Sequence, residues 1–181
     1  MSLIVTAVGA DLHKDIDKLG TQDPYLQVTL NLEDKDSFKK TRAHEDGGRT
    51  PQWDQYFSFD YNGEPLLYIE VLDKEGDFDK LIGFAAIPLH QIRSQGAVNG
   101  LFKIYNEKQE EAGNVHLVIQ FDGARSSESI QVFNTTIDED HAARAKKIHN
   151  KELAGDVAKG VAVLGGLAAL GFAISRGGKP E

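Results

Sequence analysis

Eight short runs rich in β-branched and aromatic residues fill the first two thirds of this 181-residue chain, separated by polar, turn-forming stretches. Spacing of this kind admits few folds other than an all-β sandwich. The runs are LIVTAVG (3–9), YLQVTLNL (25–32), SFKKTRAHE (37–45), QYFSFDY (55–61), PLLYIEVLD (65–73), IGFAAIPL (82–89), LFKIYN (101–106) and NVHLVIQF (114–121). Alternation is clearest in the second run: Leu26, Val28, Leu30 and Leu32 fall on one face, and Gln27, Thr29 and Asn31 on the other.

The pattern changes after Gly123. The serine-rich ARSSES breaks the β-region, and Thr136 with Glu139 has the spacing of a capping box, which predicts a helix from about Ile137. The expected division is a β-domain over 1–123, a linker over 124–136 and a helical tail over 137–181. The tail contains an uncharged, Ala/Gly-rich stretch over 160–174 that would be about 23 Å long as a helix, short for a span of roughly twenty residues. Small residues recur every four positions at Gly165, Ala169 and Ala173 and at Ala158, Ala162 and Gly166, a surface suited to close helix approach. Three roles compete for this stretch: a short C-terminal membrane anchor, a helix that makes a homo-oligomer, and a helix folded back on the sandwich. Self-association is the favoured expectation.

The chain has no cysteine, which excludes disulfides, thiolate metal sites and a cysteine nucleophile, and suits a reducing, cytoplasmic location. The N-terminal apolar run is too short for a secretory signal and lacks its basic leader. Residues 1–126 carry 21 acidic against 13 basic side chains, whereas the remainder carries 7 of each. That excess argues against nucleic acid as a partner, because neutralising phosphates takes a basic stripe. It suits a protein that gathers cations.

Acidic residues crowd into two strand-bounded segments, HKDIDKLGTQDPY and VLDKEGDFDKLIG. Calcium takes six to eight oxygen ligands, and a pair of loops can supply them. The string DIDKLGTQDPYLQV resembles the first calcium-binding loop and following strand of C2 domains, with Asp17, Gly20 and the trio Asp23, Pro24, Tyr25 at the matching places. TPQWDQYFSF (50–59) resembles another signature of that family, and VLDKEGDFDKLIGFAAIPL resembles its third loop and next strand. The likeness covers about residues 3–123. With no strand before LIVTAVG, it is similar to the family's circularly permuted type II topology.

The resemblance implies an eight-stranded antiparallel C2 β-sandwich followed by the α-helical tail. It also implies calcium (Ca2+) as the cofactor, with Asp17, Asp23 and Asp73 as ligands, Glu75 in a place usually held by aspartate, and Asp79 or Asp77 completing the third loop. The family's last loop-three carboxylate stands three residues before the strand glycine, and counting back from Gly83 reaches Lys80, a cation that opposes metal binding there. Leu19 and Phe78 sit at the loop tips, where apolar side chains dip below lipid head groups. Lys39, Lys40 and Arg42 lie on the strand that can present a basic patch to phosphoinositides in the family.

Trp53 reads as core packing. The six histidines show no metal-binding spacing and receive no role, the serines have no nucleophile-elbow motif, and Gly47 and Gly48 lack a P-loop lysine. The expected function is therefore non-enzymatic: a calcium-dependent module that recruits itself or an assembly to anionic phospholipid membranes as a peripheral protein. The alternative is a calcium-independent structural C2 protein that assembles or anchors through its tail.

Overall fold

The computed structural model describes residues 1–16, 20–76, 78–151 and 153–155. They build a mostly antiparallel β-sandwich of eight strands, to which a short ninth is added in parallel, followed by a helix. The elements are β1 (Ser2–Leu12), β2 (Pro24–Thr29), β3 (Lys39–Lys40), β4 (Gln52–Asp60), β5 (Leu66–Asp73), β6 (Lys80–Pro88), α1 (Leu89–Arg93), β7 (Ala97–Tyr105), β8 (Glu111–Phe121), a short β9 (Gln131–Phe133) and α2 (residues 139–155). Neighbours follow the order β3-β2-β5-β6-β7-β8-β1-β4, and β6 meets β7 through one pair, Phe84 with Tyr105.

Inward side chains from both halves form one core, including Leu3, Val5, Leu26, Val28, Ile69, Val71, Phe102, Leu117 and Ile119. Trp53 packs there as expected, and its indole N–H donates to the Pro24 carbonyl at 3.0 Å.

The third run departs from its expected extent: only Lys39 and Lys40 are strand, where the sequence pattern suggests 37–45. Asp34 caps a 3-10 turn over Lys35–Ser37 just before them. Beyond Lys40 the Thr41 N–H still donates to the Leu26 carbonyl at 2.9 Å, but the returning Leu26 N–H goes to the Thr41 hydroxyl at 3.0 Å, and the regular ladder gives way to single bonds.

The stretch read as linker holds β9, which runs parallel to β7 at Gly100–Phe102. Thr136 then forms an isolated bridge with Ala86 of β6, with N–H···O bonds of 2.8 and 2.9 Å in the two directions. That pairing keeps Thr136 extended, so it does not cap the helix; Asp138 does, its carboxylate accepting the His141 N–H at 3.0 Å.

α2 lies on the outer face of β2, β5 and β6. Ala142 and Ala145 join Tyr25, Leu72, Leu81 and Phe84 in a second apolar cluster, with Ile137 and Ile148 at its margins. Gln27 and Thr29, expected on a solvent face, are buried, Gln27 against Glu70 and Thr29 against Asn31 and Ser37. Among the described residues no helix is long and apolar enough to cross a membrane. The 160–174 stretch and its small-residue ridges lie outside the described residues.

Candidate functional site

Antiparallel pairing of β2 with β5 sets Pro24 opposite Asp73, so the DPY motif and the start of the third loop meet at one end of the sandwich. The Asp23 N–H donates to Asp73 Oδ1 at 2.7 Å, and Asp73 is 1% exposed. Asp23 Oδ1 in turn accepts the Asp46 N–H at 2.7 Å. The structure thus brings together two of the three carboxylates assigned to calcium with most weight; Asp17 lies outside the described residues, as do Leu19 and Asp77.

The remaining described third-loop carboxylates, Glu75 and Asp79, are already engaged. Lys80 stands opposite Asp73 in the β5–β6 register, and its Nζ lies 2.6 Å from Glu75 Oε1. Asp79 Oδ2 accepts the Tyr25 hydroxyl at 2.6 Å, and Oδ1 accepts the Glu75 N–H at 3.2 Å. Burial, reinforced by the Asp79 carboxylate it faces, holds the Tyr25 phenol well above its ordinary pKa, so it remains a donor. Among the described residues no three His, Cys, Asp or Glu side chains converge as metal ligands do. A calcium cup needs carboxylate oxygens open to the ion, and here one carboxylate is paired with an ammonium and another with a phenol. The described donor set does not fit the ion.

Beside these loops is a hollow of about 700 Å³ lined in part by Asp23, Glu45, Glu75, Asp79, Lys40, Arg42 and Lys74. With Lys80 on Glu75, its four carboxylates are matched by four cations. An adjoining groove of about 260 Å³ is lined by Phe78, Tyr25, Gln27, Lys40, Leu72, Asp79, Arg144, Ile148 and Lys151. Phe78 is 49% exposed. The last described residue of α2 lies beside it, since a Cβ built on Gly155 would lie 3.0 Å from the Phe78 ring.

The basic strand divides. Lys39 turns toward β4, donating to the Ser58 carbonyl with its ammonium 4.7 Å from the centre of the Phe59 ring. Lys40 and Arg42 stay with the loops and line the hollow, Lys40 lying 5.9 Å from the Tyr25 ring centre.

Two features escape a reading of the sequence. Gln22 is fully buried and clamps the first loop: its amide donates to the Gly48 and Lys14 carbonyls at 2.8 and 3.2 Å, and its oxygen accepts the Ile16 N–H at 3.1 Å. No pattern marks it. The second is the ionic clamp of α2 around fully buried Glu70. His141 Nε2 lies 3.1 Å from Glu70 Oε1, Arg144 Nε donates to the same oxygen at 2.7 Å and Nη2 to Oε2 at 3.3 Å, and the Gln27 amide also donates to Oε2. Burial alone would raise the Glu70 pKa, but hydrogen bonds from His141 and Arg144 outweigh it and hold the group at about 2. His141 sits edge-on to Tyr68 and Phe84, and Arg144 lies 4.5 Å from the Phe38 ring centre. The visible signals were one glutamate within LLYIEVL and a His/Arg pair three residues apart on a helix.

Comparison with known proteins agrees with this architecture. The model of the C2 domain family matches residues 1–104. Over 122 residues the chain is 30% identical to the 16 kDa phloem protein 2 of Arabidopsis thaliana, covering 66% of this chain and 80% of that protein. A solved C2 domain-containing protein superposes with a TM-score of 0.54 at 27% identity, covering 71% of this chain and 93% of its own. A single C2 domain of a plant extended synaptotagmin 1 gives 0.53 at 17% identity, covering 76% and 96%. The calcium-bound pair of C2 domains of extended synaptotagmin 2 gives 0.54 at 20%, covering 66% and 44%. The last two establish likeness of fold alone. With the DPY loop joined to the end of β5, the sandwich order above and a family match over more than half its length, the chain belongs to the C2 domain family.

Proposed function

We propose that this chain is a non-catalytic, peripheral membrane-binding module that attaches to anionic phospholipid from the cytoplasmic side through the Phe78 loop. The observation that carries the reading is the setting of Phe78: a half-exposed aromatic at a loop tip, sharing a groove with Lys40, Arg144 and Lys151. The one carboxylate in that groove, Asp79, accepts the Tyr25 hydroxyl. An apolar tip beside cations suits a bilayer surface, where the ring enters the acyl boundary and Lys40 and Lys151 meet phosphate, Arg144 being held by Glu70. Two of the three cations come from α2, so the helix contributes to the binding face as well as to the fold.

Sedimentation with phosphatidylserine-containing vesicles tests this. The full chain is expected to pellet, less so as salt rises, because exposed charges are screened. Phe78→Ser should weaken binding roughly tenfold, since burying an aromatic side chain is worth about 1.5–3 kcal/mol. Changing Lys40 and Lys151 together to Gln should weaken it roughly thirtyfold at low salt, at about 1 kcal/mol per cation near an anionic surface. Equal pelleting on neutral vesicles, or none on anionic ones, would overturn the reading.

A further inference from the structure

We infer that Lys80 is the resident cation of the loop apex, its tethered ammonium standing where the C2 family places calcium, so that the apex is assembled without the metal. Lys80 occupies the position at which the family's third loop supplies its last carboxylate, and the β5–β6 register sets it opposite Asp73 at the floor of the apex. Its side chain is 18% exposed and its Nζ lies 2.6 Å from Glu75 Oε1. The ammonium is therefore tied to a third-loop carboxylate that the resemblance assigns to the metal, on the strand position facing Asp73.

A tethered cation and a divalent ion compete for the same carboxylates. The lysine carries no association entropy, because β6 already holds it in place. A calcium ion arriving there would have to break the Glu75 pair and remain close to a like charge in a partly buried setting, where repulsion is poorly screened. Asp79 adds to the effect, since its two oxygens are taken by the Tyr25 hydroxyl and the Glu75 N–H. The hollow beside the loops has its carboxylates balanced by cations of the chain itself, so calcium is not needed to reverse a repulsive potential. Membrane attachment of this chain is accordingly constitutive with respect to calcium.

Calorimetric titration of the full chain with calcium chloride, paired with thermal unfolding in chelator and in calcium, tests the inference. The wild-type chain is expected to give no saturable heat and no shift of its melting temperature. Lys80→Asp, which restores a carboxylate and removes the ammonium, is expected to unfold at a lower temperature in chelator, to recover in calcium, and to gain calcium affinity by roughly a hundredfold. Lys80→Gln removes only the charge and should show a smaller gain of the same sign. Saturable calcium binding by the wild type overturns the inference whether or not either variant folds; so does a folded Lys80→Asp as silent as the wild type. Only the vesicle arm rests on the membrane reading: wild-type pelleting on phosphatidylserine vesicles should be equal in chelator and calcium, and that of Lys80→Asp calcium-dependent. No pelleting by a calcium-silent wild type would refute the membrane reading and leave the lysine's role intact.

Discussion

Glu70→Gln is expected to destabilise the protein by about 3 kcal/mol near neutral pH and to flatten its acid unfolding limb. Glu70 is fully buried under α2 and receives hydrogen bonds from Gln27, His141 and Arg144. Its carboxyl titrates at about 2 in the folded protein against 4.5 as reference, because the two helix donors more than offset the penalty of burial. A depressed folded pKa means that the ionised group favours the folded state. The contribution is complete above pH 4.5, declines as protons bind the unfolded chain first, and is gone once the pH has fallen through about 2. A difference of this size corresponds to stability on the order of 3 kcal/mol. Urea unfolding at a series of pH values checks it: wild type should lose that amount between pH 4.5 and 2 beyond what Glu70→Gln loses. Parallel acid limbs for the two proteins would assign the limb to other carboxylates.

The clamp also explains why α2 sits on a face that the strand pattern marks as polar. An apolar helix stripe alone would find Gln27, Thr29 and Glu70 beneath it, each costly to bury without partners. Thr29 finds partners in Asn31 and Ser37 and Gln27 in Glu70; α2 supplies those of Glu70, with His141 and Arg144 reaching it while Ala142 and Ala145 allow the helix to approach the sheet. Packing around the clamp is small-to-large: alanines over Tyr25, Leu72 and Phe84. The same docking carries Lys151 to the groove beside Phe78, so the clamp that fixes the helix also positions a cation of the proposed membrane face.

Much of this was legible in the sequence because it is local. Period-two alternation places Leu26 and Val28 in the core, and the DPY and third-loop strings place Asp23 and Asp73 at one end of the sandwich. Lys80 was visible as a departure, but its pairing with Glu75 was not, since that depends on how the loop closes. What stayed hidden is what one segment does to another far along the chain. Alternation makes Gln27 and Thr29 look solvated, yet Gln27 is buried on the Glu70 clamped by a helix more than a hundred residues later, and Thr29 against Asn31 and Ser37. Thr136 and Glu139 have capping-box spacing, yet Thr136 is drawn into a bridge with Ala86 and the cap passes to Asp138. A serine-rich stretch reads as a linker, although the residues just beyond it form a strand.

That strand carries the second large expectation: Phe102→Ala should destabilise the fold by about 4 kcal/mol and Phe133→Ala by about 2–3 kcal/mol, with the double variant less destabilised than their sum by about 1 kcal/mol. Phe102 is fully buried in the main core, and Phe133, 8% exposed, stacks on it with ring centres 5.3 Å apart and planes 15° apart. β6 and β7 share one backbone pair, so the edge of β7 at Gly100–Phe102 is available and β9 takes it. Gly100 is what lets the ring in, because a Cβ there would lie 2.5 Å from Phe133 Cδ2. Removing either ring leaves the other facing a void, and removing both leaves a single larger one, which is why the losses should not add. Chemical denaturation of the four proteins gives the coupling directly. Strict additivity would mean that the two stacked rings contribute to the core independently of each other.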